Sequence, residues 1–112
     1  MLANEKCEAC RADSPRVTPA QAEQLMRELP HWWIIEHDGV QRLQRVFTFK
    51  DFVSALAFTN EVGRIAEEVQ HHPLLITEWG RVTVQWWTHA IGGLHRNDFI
   101  LAARTSQLIA GS

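Results

Sequence analysis

The stretch EEVQHHPLLITEWGRVTVQWWTH, Glu67 to His89, changes its period part-way through. Up to Val69 it continues a helical pattern. From Leu74 it reads as two strands turning near Gly80, with Val82, Val84 and Trp86 alternating against Arg81, Thr83 and Gln85, the two-residue period of a half-buried strand. His71, His72 and Pro73 occupy the joint, where a proline stops the helix and two imidazoles stand side by side. In an antiparallel hairpin, residues equidistant from the turn face each other. Counting outward from Gly80 sets His71 across from His89, and a Gly80-Arg81 turn sets His72 there instead, so three imidazoles converge under either count. Facing residues have Cα atoms about 4.5 to 5.5 Å apart, close enough for their side chains to enclose one small molecule.

Upstream, Phe52, Ala55, Leu56, Thr59, Val62, Ala66 and Val69 recur at steps of three and four. That spacing predicts a helix from about Asp51 to Val69, with Glu61, Arg64, Glu67 and Glu68 mostly on its other faces. Before it, WWIIEHDGVQRLQRVFTF reads as a hairpin about Asp38-Gly39, a dipeptide that accepts the positive φ angles of a tight turn. Trp33, Ile35, Leu43, Val46 and Phe47 do not alternate cleanly, so the turn is better defined than the register. TPAQAEQLMRELP predicts a first helix from Pro19 to Leu29, with Thr18 as N-cap, Gln21 closing a capping box and Pro30 stopping it. Leu25, Met26 and Leu29 mark its buried side, and a last helix runs from roughly Asp98 to Ile109. The order is helix, two strands, helix, two strands, helix. It predicts an α+β fold, three helices packed on one face of a four-stranded, mostly antiparallel sheet. Residues 18–112 make this single domain and 1–17 a polar N-terminal tail.

A chain of 112 residues supports one core. Its 46% hydrophobic and 21% charged residues match ordinary globular proteins, which argues against disorder. With a net charge of −2 and scattered Lys and Arg, it has no electrostatic footprint for phosphate backbones, so no direct nucleic-acid partner is expected. No apolar run approaches the roughly 20 residues of a membrane span, and the N-terminus lacks the regions of a secretory signal. The expected location is cytoplasmic. Cys7 and Cys10 form the only cysteine motif, CEAC. A structural zinc site usually takes its ligands from two such pairs, and a redox pair usually follows a buried strand. Two reduced thiols on a mobile tail is the simpler reading, with a zinc shared between subunits as the alternative.

A histidine near its ordinary pKa of about 6.5 can give or take a proton at neutral pH, which suits general acid–base chemistry without a cofactor. A three-histidine zinc site draws on the same residue type. An isolated histidine at a helix end is most often a favourable charge or a cap, and that reading holds for His31, His37 and His95 taken singly. The hairpin count separates His71, His72 and His89 from them. Glu67, one helical turn before His71, either orients an imidazole or is a solvated glutamate. Asp98 heads the last helix, where a carboxylate caps free N–H donors, and Gly92-Gly93 permits a sharp turn bringing it toward His89. Trp79, Trp86 and Trp87 are either core or a stacking surface for a flat heterocycle.

Glu67, His71-His72-Pro73, an aromatic at Trp79, Thr88-His89, Gly93-Leu94 and Asp98, at these separations, resemble the pattern of the pterin-4a-carbinolamine dehydratases over about Phe52 to Ala103. Leu75 stands where an aromatic is common, Trp79 where tyrosine is frequent, and His95 where serine or threonine usually caps the last helix. The resemblance implies a hydro-lyase, a 4a-hydroxytetrahydrobiopterin dehydratase. Such an enzyme removes water from the 4a-hydroxytetrahydropterin left by aromatic amino acid hydroxylases and gives quinonoid dihydropterin for recycling. It implies His71, His72 and His89 as catalytic residues around the pterin, and Glu67, Pro73, Trp79, Thr88 and Asp98 as its binding residues. No metal or organic cofactor is implied.

Expelling the 4a-hydroxyl needs a proton donor and removing the N5 proton needs an acceptor, which two imidazoles of differing protonation supply. His71 and His89 are the expected acid and base, with His72 binding and orienting. The resemblance further implies a homodimer or homotetramer and coupling to phenylalanine hydroxylase. The small residues Ala102, Ala103 and Ala110 of the last helix would permit close helix packing, between subunits or equally within the chain. The contrasting readings are a non-catalytic regulator binding a hydroxylase or transcription factor through a sheet edge or the last helix, and a zinc hydrolase.

Overall fold

Thr18 opens the first helix, α1 (Pro19–Met26). Its hydroxyl accepts from the Gln21 N–H at 3.2 Å and its own N–H donates to the Gln21 side chain at 2.9 Å, the reciprocal cap expected from the sequence. The computed structural model describes residues 1–8 and 14–109, so the expectations about Cys10 and Ala110 lie outside the described residues. The α-helix ends at Met26, short of the expected Leu29, because Glu28 and Leu29 bond three residues back and tighten the last turn ahead of Pro30. Leu25 and Leu29 are buried, as expected.

Asp38 and Gly39 take φ angles of 51° and 78° and join β1 (Trp33–His37) to β2 (Val40–Thr48) by a two-residue turn. Leu43 and Phe47 point toward the helices, and Trp32, one residue before the strand, joins them in the core. Trp33 faces outward at 71% exposure.

The second helix, α2 (Phe52–Val69), is capped by Asp51, whose carboxylate accepts from the Ser54 N–H at 2.8 Å. Its buried stripe is Ala55, Phe58, Val62, Ile65 and Ala66. Phe52 and Leu56, expected inside, are 44% and 43% exposed, since both lie a quarter turn or more round the helix from that stripe.

The second hairpin joins β3 (Leu74–Glu78) to β4 (Arg81–Trp86) through Trp79 and Gly80. Gly80 has φ 75° and its carbonyl accepts from the Phe49 N–H at 2.8 Å, a close approach that suits a residue without Cβ. The pairing is thus shifted by one residue from the Gly80-centred count and by two from the Gly80-Arg81 count. It pairs Glu78 with Arg81 and Leu74 with Gln85, and neither His71 nor His72 faces His89 across the ladder.

The third helix, α3 (Arg96–Gln107), begins two residues before the expected Asp98 because His95 is its N-cap. The sheet order is β1-β2-β4-β3 with every neighbouring pair antiparallel. The helices bury one face of it: Leu43, Phe47, Val82, Val84 and Trp86 meet Ala55, Phe58 and Val62 of α2, Phe99, Leu101 and Ala102 of α3, and Leu25 of α1. Ala102 is thereby spent inside the chain rather than on a second subunit. Both core indoles find acceptors, Trp32 on Ser106 at 2.8 Å and Trp86 on Thr105 at 3.0 Å. No described helix is long and apolar enough to cross a membrane.

The N-terminal segment departs from the expected mobile tail. Residues 1–8 lie as a strap against α3, with Leu2 buried and a 3-10 turn over Leu2–Asn4. Arg104 donates to the carbonyls of Ala3 and Glu5, and Asn97 exchanges two hydrogen bonds with the Glu8 backbone at 2.9 and 2.6 Å. Arg96 grips both Glu5 carboxylate oxygens at 2.7 and 2.8 Å and so holds the Glu5 carboxyl below its usual range. A carboxyl lowered in the folded state contributes its stabilisation in full above the unfolded value of about 4.3, and loses it as pH falls through the lower folded value. In an acid titration followed by backbone NMR, the Ala3 and Glu5 signals are expected to shift before those of Leu43 and Val84. Simultaneous movement of all four would show that the strap does not hang on the Glu5–Arg96 pair.

Candidate active site

Three chain segments meet at one end of the sheet. Gln70 ends α2 in the left-handed conformation, φ 52°, and the His71 N–H still reaches the Ala66 carbonyl at 3.1 Å, so the chain turns sharply and delivers His71, His72 and Pro73 ahead of β3. After β4 the chain passes Trp87 and Thr88 into a 3-10 turn, His89–Ile91, closed by the Thr88 N–H on the Gly93 carbonyl at 2.8 Å. The first turn of α3 completes the joint. An open cavity of about 460 Å³ lies among Gln70, His71, His72, Thr88, His89 and Ala90.

Asp98 is fully buried beneath this cavity. One carboxylate oxygen accepts the Thr88 hydroxyl at 2.7 Å and the His95 N–H at 2.9 Å, while the other lies 2.8 Å from His71 Nε2. His71 Nε2 also faces the Trp87 carbonyl at 3.2 Å. Both neighbours accept, so Nε2 carries the proton, and the neutral imidazole keeps its lone pair on Nδ1. His71 is thus a largely buried imidazole with a fixed tautomer, held by a carboxylate as the imidazole of a catalytic triad is held. His95 does act as a cap: its Nδ1 accepts from the Asn97 N–H at 3.0 Å.

His72 and His89 are held more loosely. His72 Nε2 hydrogen-bonds the Glu67 carboxylate, so Glu67 orients His72 rather than the His71 considered from the spacing. Both partners are more than half exposed, and such pairs contribute about 0–1 kcal/mol. The His89 ring rests against the Trp87 indole, centroids 4.5 Å apart at 36°.

The fold therefore brings His71, His72, His89, Glu67, Thr88 and Asp98 together, though by a helix end and a loop instead of a strand ladder. Pro73 ends the loop without lining the cavity. Asp98 reaches His71 from below and is sealed from the cavity, which makes it an orienting group rather than a ligand contact. Trp79 sits in the β3–β4 turn, 71% exposed, neither core nor near the cavity, at the far end of a strand about 16 Å long. Gln70 and Ala90 line the cavity without any sequence signal. Among the described residues no group of three or more His, Cys, Asp or Glu side chains is arranged to hold a metal ion.

Residues 15–108 match the family model described as pterin 4 alpha carbinolamine dehydratase. The chain belongs to this family. A Marinobacter nauticus protein assigned by name to the pterin-4-alpha-carbinolamine dehydratases is 57% identical over 107 residues, 96% of each chain. The crystal structure of a protein from Brucella melitensis described as transcriptional coactivator/pterin dehydratase superposes with a TM-score of 0.77 at 30% identity, covering 84% of this chain and 98% of that one. The strap, residues 1–8, lies outside the matched region.

The Asp98–His71 bond sets a test of the tautomer. In Asp98→Asn the obligate His95 N–H donor claims the amide oxygen, and the amide nitrogen then points a donor at His71. The proton is expected to move from Nε2 to Nδ1, read from the ring nitrogen shifts of His71 by NMR. An unchanged Nε2–H form would refute the assignment.

Proposed function

We propose that the protein dehydrates 4a-hydroxytetrahydropterin to quinonoid dihydropterin. The observation that carries this reading is His71, its Nε2–H fixed by buried Asp98, on the wall of a cavity that also exposes His72 and His89. Dehydration breaks the C4a–O bond and forms the C4a=N5 double bond. His71, through Nδ1, takes the N5 proton; His89 gives a proton to the departing 4a-hydroxyl, which leaves as water. His72, held by Glu67, binds and orients the pterin. Each imidazole changes by one proton, so the step needs no redox partner.

The substrate in this reading comes from an aromatic amino acid hydroxylase, phenylalanine hydroxylase in particular. Dehydration of freshly generated 4a-hydroxytetrahydropterin, followed in the ultraviolet with chelator present, is expected to be faster with the protein than without. It should fall by roughly 10²-fold or more in His71→Ala or His89→Ala. A wild type at the spontaneous rate, or variants equal to wild type, would sink the proposal. The protein-binding reading, to which the coactivator wording of the Brucella relative gives support, would then take its place.

Self-association belongs to the same reading. Phe52, Val53 and Leu56 expose an apolar strip on the outer face of α2, Val53 at 76%, which a second copy of the chain would cover. Light scattering is expected to give a dimer or tetramer for wild type and a smaller species for Val53→Glu. A monomeric wild type would remove α2 as the interface.

A further inference from the structure

We propose that Arg42 and Trp87 form a positioning pair that holds His89 at the cavity. This rests on the dehydratase reading for its kinetic consequence but on geometry for its existence. Leu43 on β2 pairs with Trp86 on β4, so one step further along this antiparallel register Trp87 falls opposite Arg42 on the sheet face away from the helices. The Arg42 guanidinium lies over the Trp87 ring, 3.8 Å from its centroid, and Nη1 donates to Gln85 at 2.9 Å, itself tied to Gln44 at 2.7 Å. Arg42 Nε is buried and makes no hydrogen bond to the described residues, so stacking on Trp87 contributes much of what fixes this side chain.

Trp87 in turn touches both imidazoles. Its carbonyl accepts from His71 Nε2 at 3.2 Å and its ring carries His89 at 4.5 Å. His89 stands on a short exposed turn, where an unsupported imidazole would sample several rotamers. The indole restricts it, and the guanidinium on the indole keeps that surface in place. Neither residue needs to meet substrate; the pair acts through His89.

The test combines spectra with kinetics on the full-length protein. Histidine ring signals are recorded for wild type, Arg42→Met, Arg42→Lys, Trp87→Phe and Trp87→Leu, with His89→Asn to assign His89, alongside thermal melts and the kcat and KM of pterin dehydration. In wild type the His89 ring protons are expected upfield of a free histidine, from the indole ring current. Arg42→Met, a change on the outer sheet face, should melt near wild type yet move those signals toward the free position. It should also lower kcat about tenfold with a much smaller change in KM, as a misplaced catalytic group does. Arg42→Lys should recover part of the loss, and Trp87→Phe should outperform Trp87→Leu. Free-histidine shifts in wild type, or an Arg42→Met protein with unchanged shifts and kcat, would overturn the proposal. An inactive wild type whose His89 shifts still respond to Arg42→Met would overturn the dehydratase reading alone and leave the positioning pair standing.

Discussion

The carboxylate of Asp98, sealed from solvent, has to be filled by donors from the protein itself, and three segments supply them. The His95 N–H comes from the cap of α3, the Thr88 hydroxyl from the loop after β4, and the His71 imidazole from the end of α2. Each donor is also a geometric restraint. Thr88 fixes where the 87–93 loop leaves the sheet, His95 fixes the first turn of α3, and His71 is fixed in rotation and tautomer at once. The free N–H groups at the start of α3 make the same spot favourable for a negative charge. A buried charge that would be costly without partners thereby ties the fold to the site.

The surroundings of Asp98 brace this arrangement from outside the cavity. Asn97, its neighbour in sequence, is clamped by two hydrogen bonds to Glu8, and Arg96 and Arg104 hold the same strap further along α3. The strap therefore presses on the turn that carries Asp98. On the other side, Arg16 donates to the Ile91 carbonyl and the Val17 N–H to the Leu94 carbonyl, which secures the loop that carries His89. Neither brace touches the cavity.

Much of the fold was legible because local chemistry decided it. Thr18 with Gln21, Asp38-Gly39, and the alternation of Val82, Val84 and Trp86 each describe a structure that a few neighbouring residues settle among themselves. The long-range features were not. Placing the second turn on Trp79-Gly80 instead of centring it on Gly80 is a small shift, but it moves every cross-strand pairing by one residue, and the expected facing of His71 and His89 disappears with it. The histidines still meet because the left-handed Gln70 and the Thr88–Gly93 closure redirect the chain; the Gly92-Gly93 pair signalled the second, with Gly92 left-handed at φ 57°, while no turn motif signalled Gln70. The contact of Arg42 with Trp87 depends on the β2–β4 register, which pairs strands separated by a whole helix. The docking of residues 1–8 depends on three side chains of α3 more than eighty residues away, so a polar segment read as a tail.

The three imidazoles differ in how far water reaches them, and this matters for the proposed dehydration. His71 has a side chain only 11% exposed, whereas His72 is at 55% and His89 also stands open. Losing water from the pterin takes one proton from the acid and leaves one on the base, so after each turnover the two groups hold the wrong protonation states for the next. They must be reset. An acid on the rim recharges directly from solvent, which favours His89 in that role. A base held by a buried carboxylate keeps its acceptor nitrogen aligned while substrate is absent, and releases its proton to water only through the open cavity. Reversing the roles would put the tautomer-fixed group where free exchange is needed and the exposed one where alignment is needed.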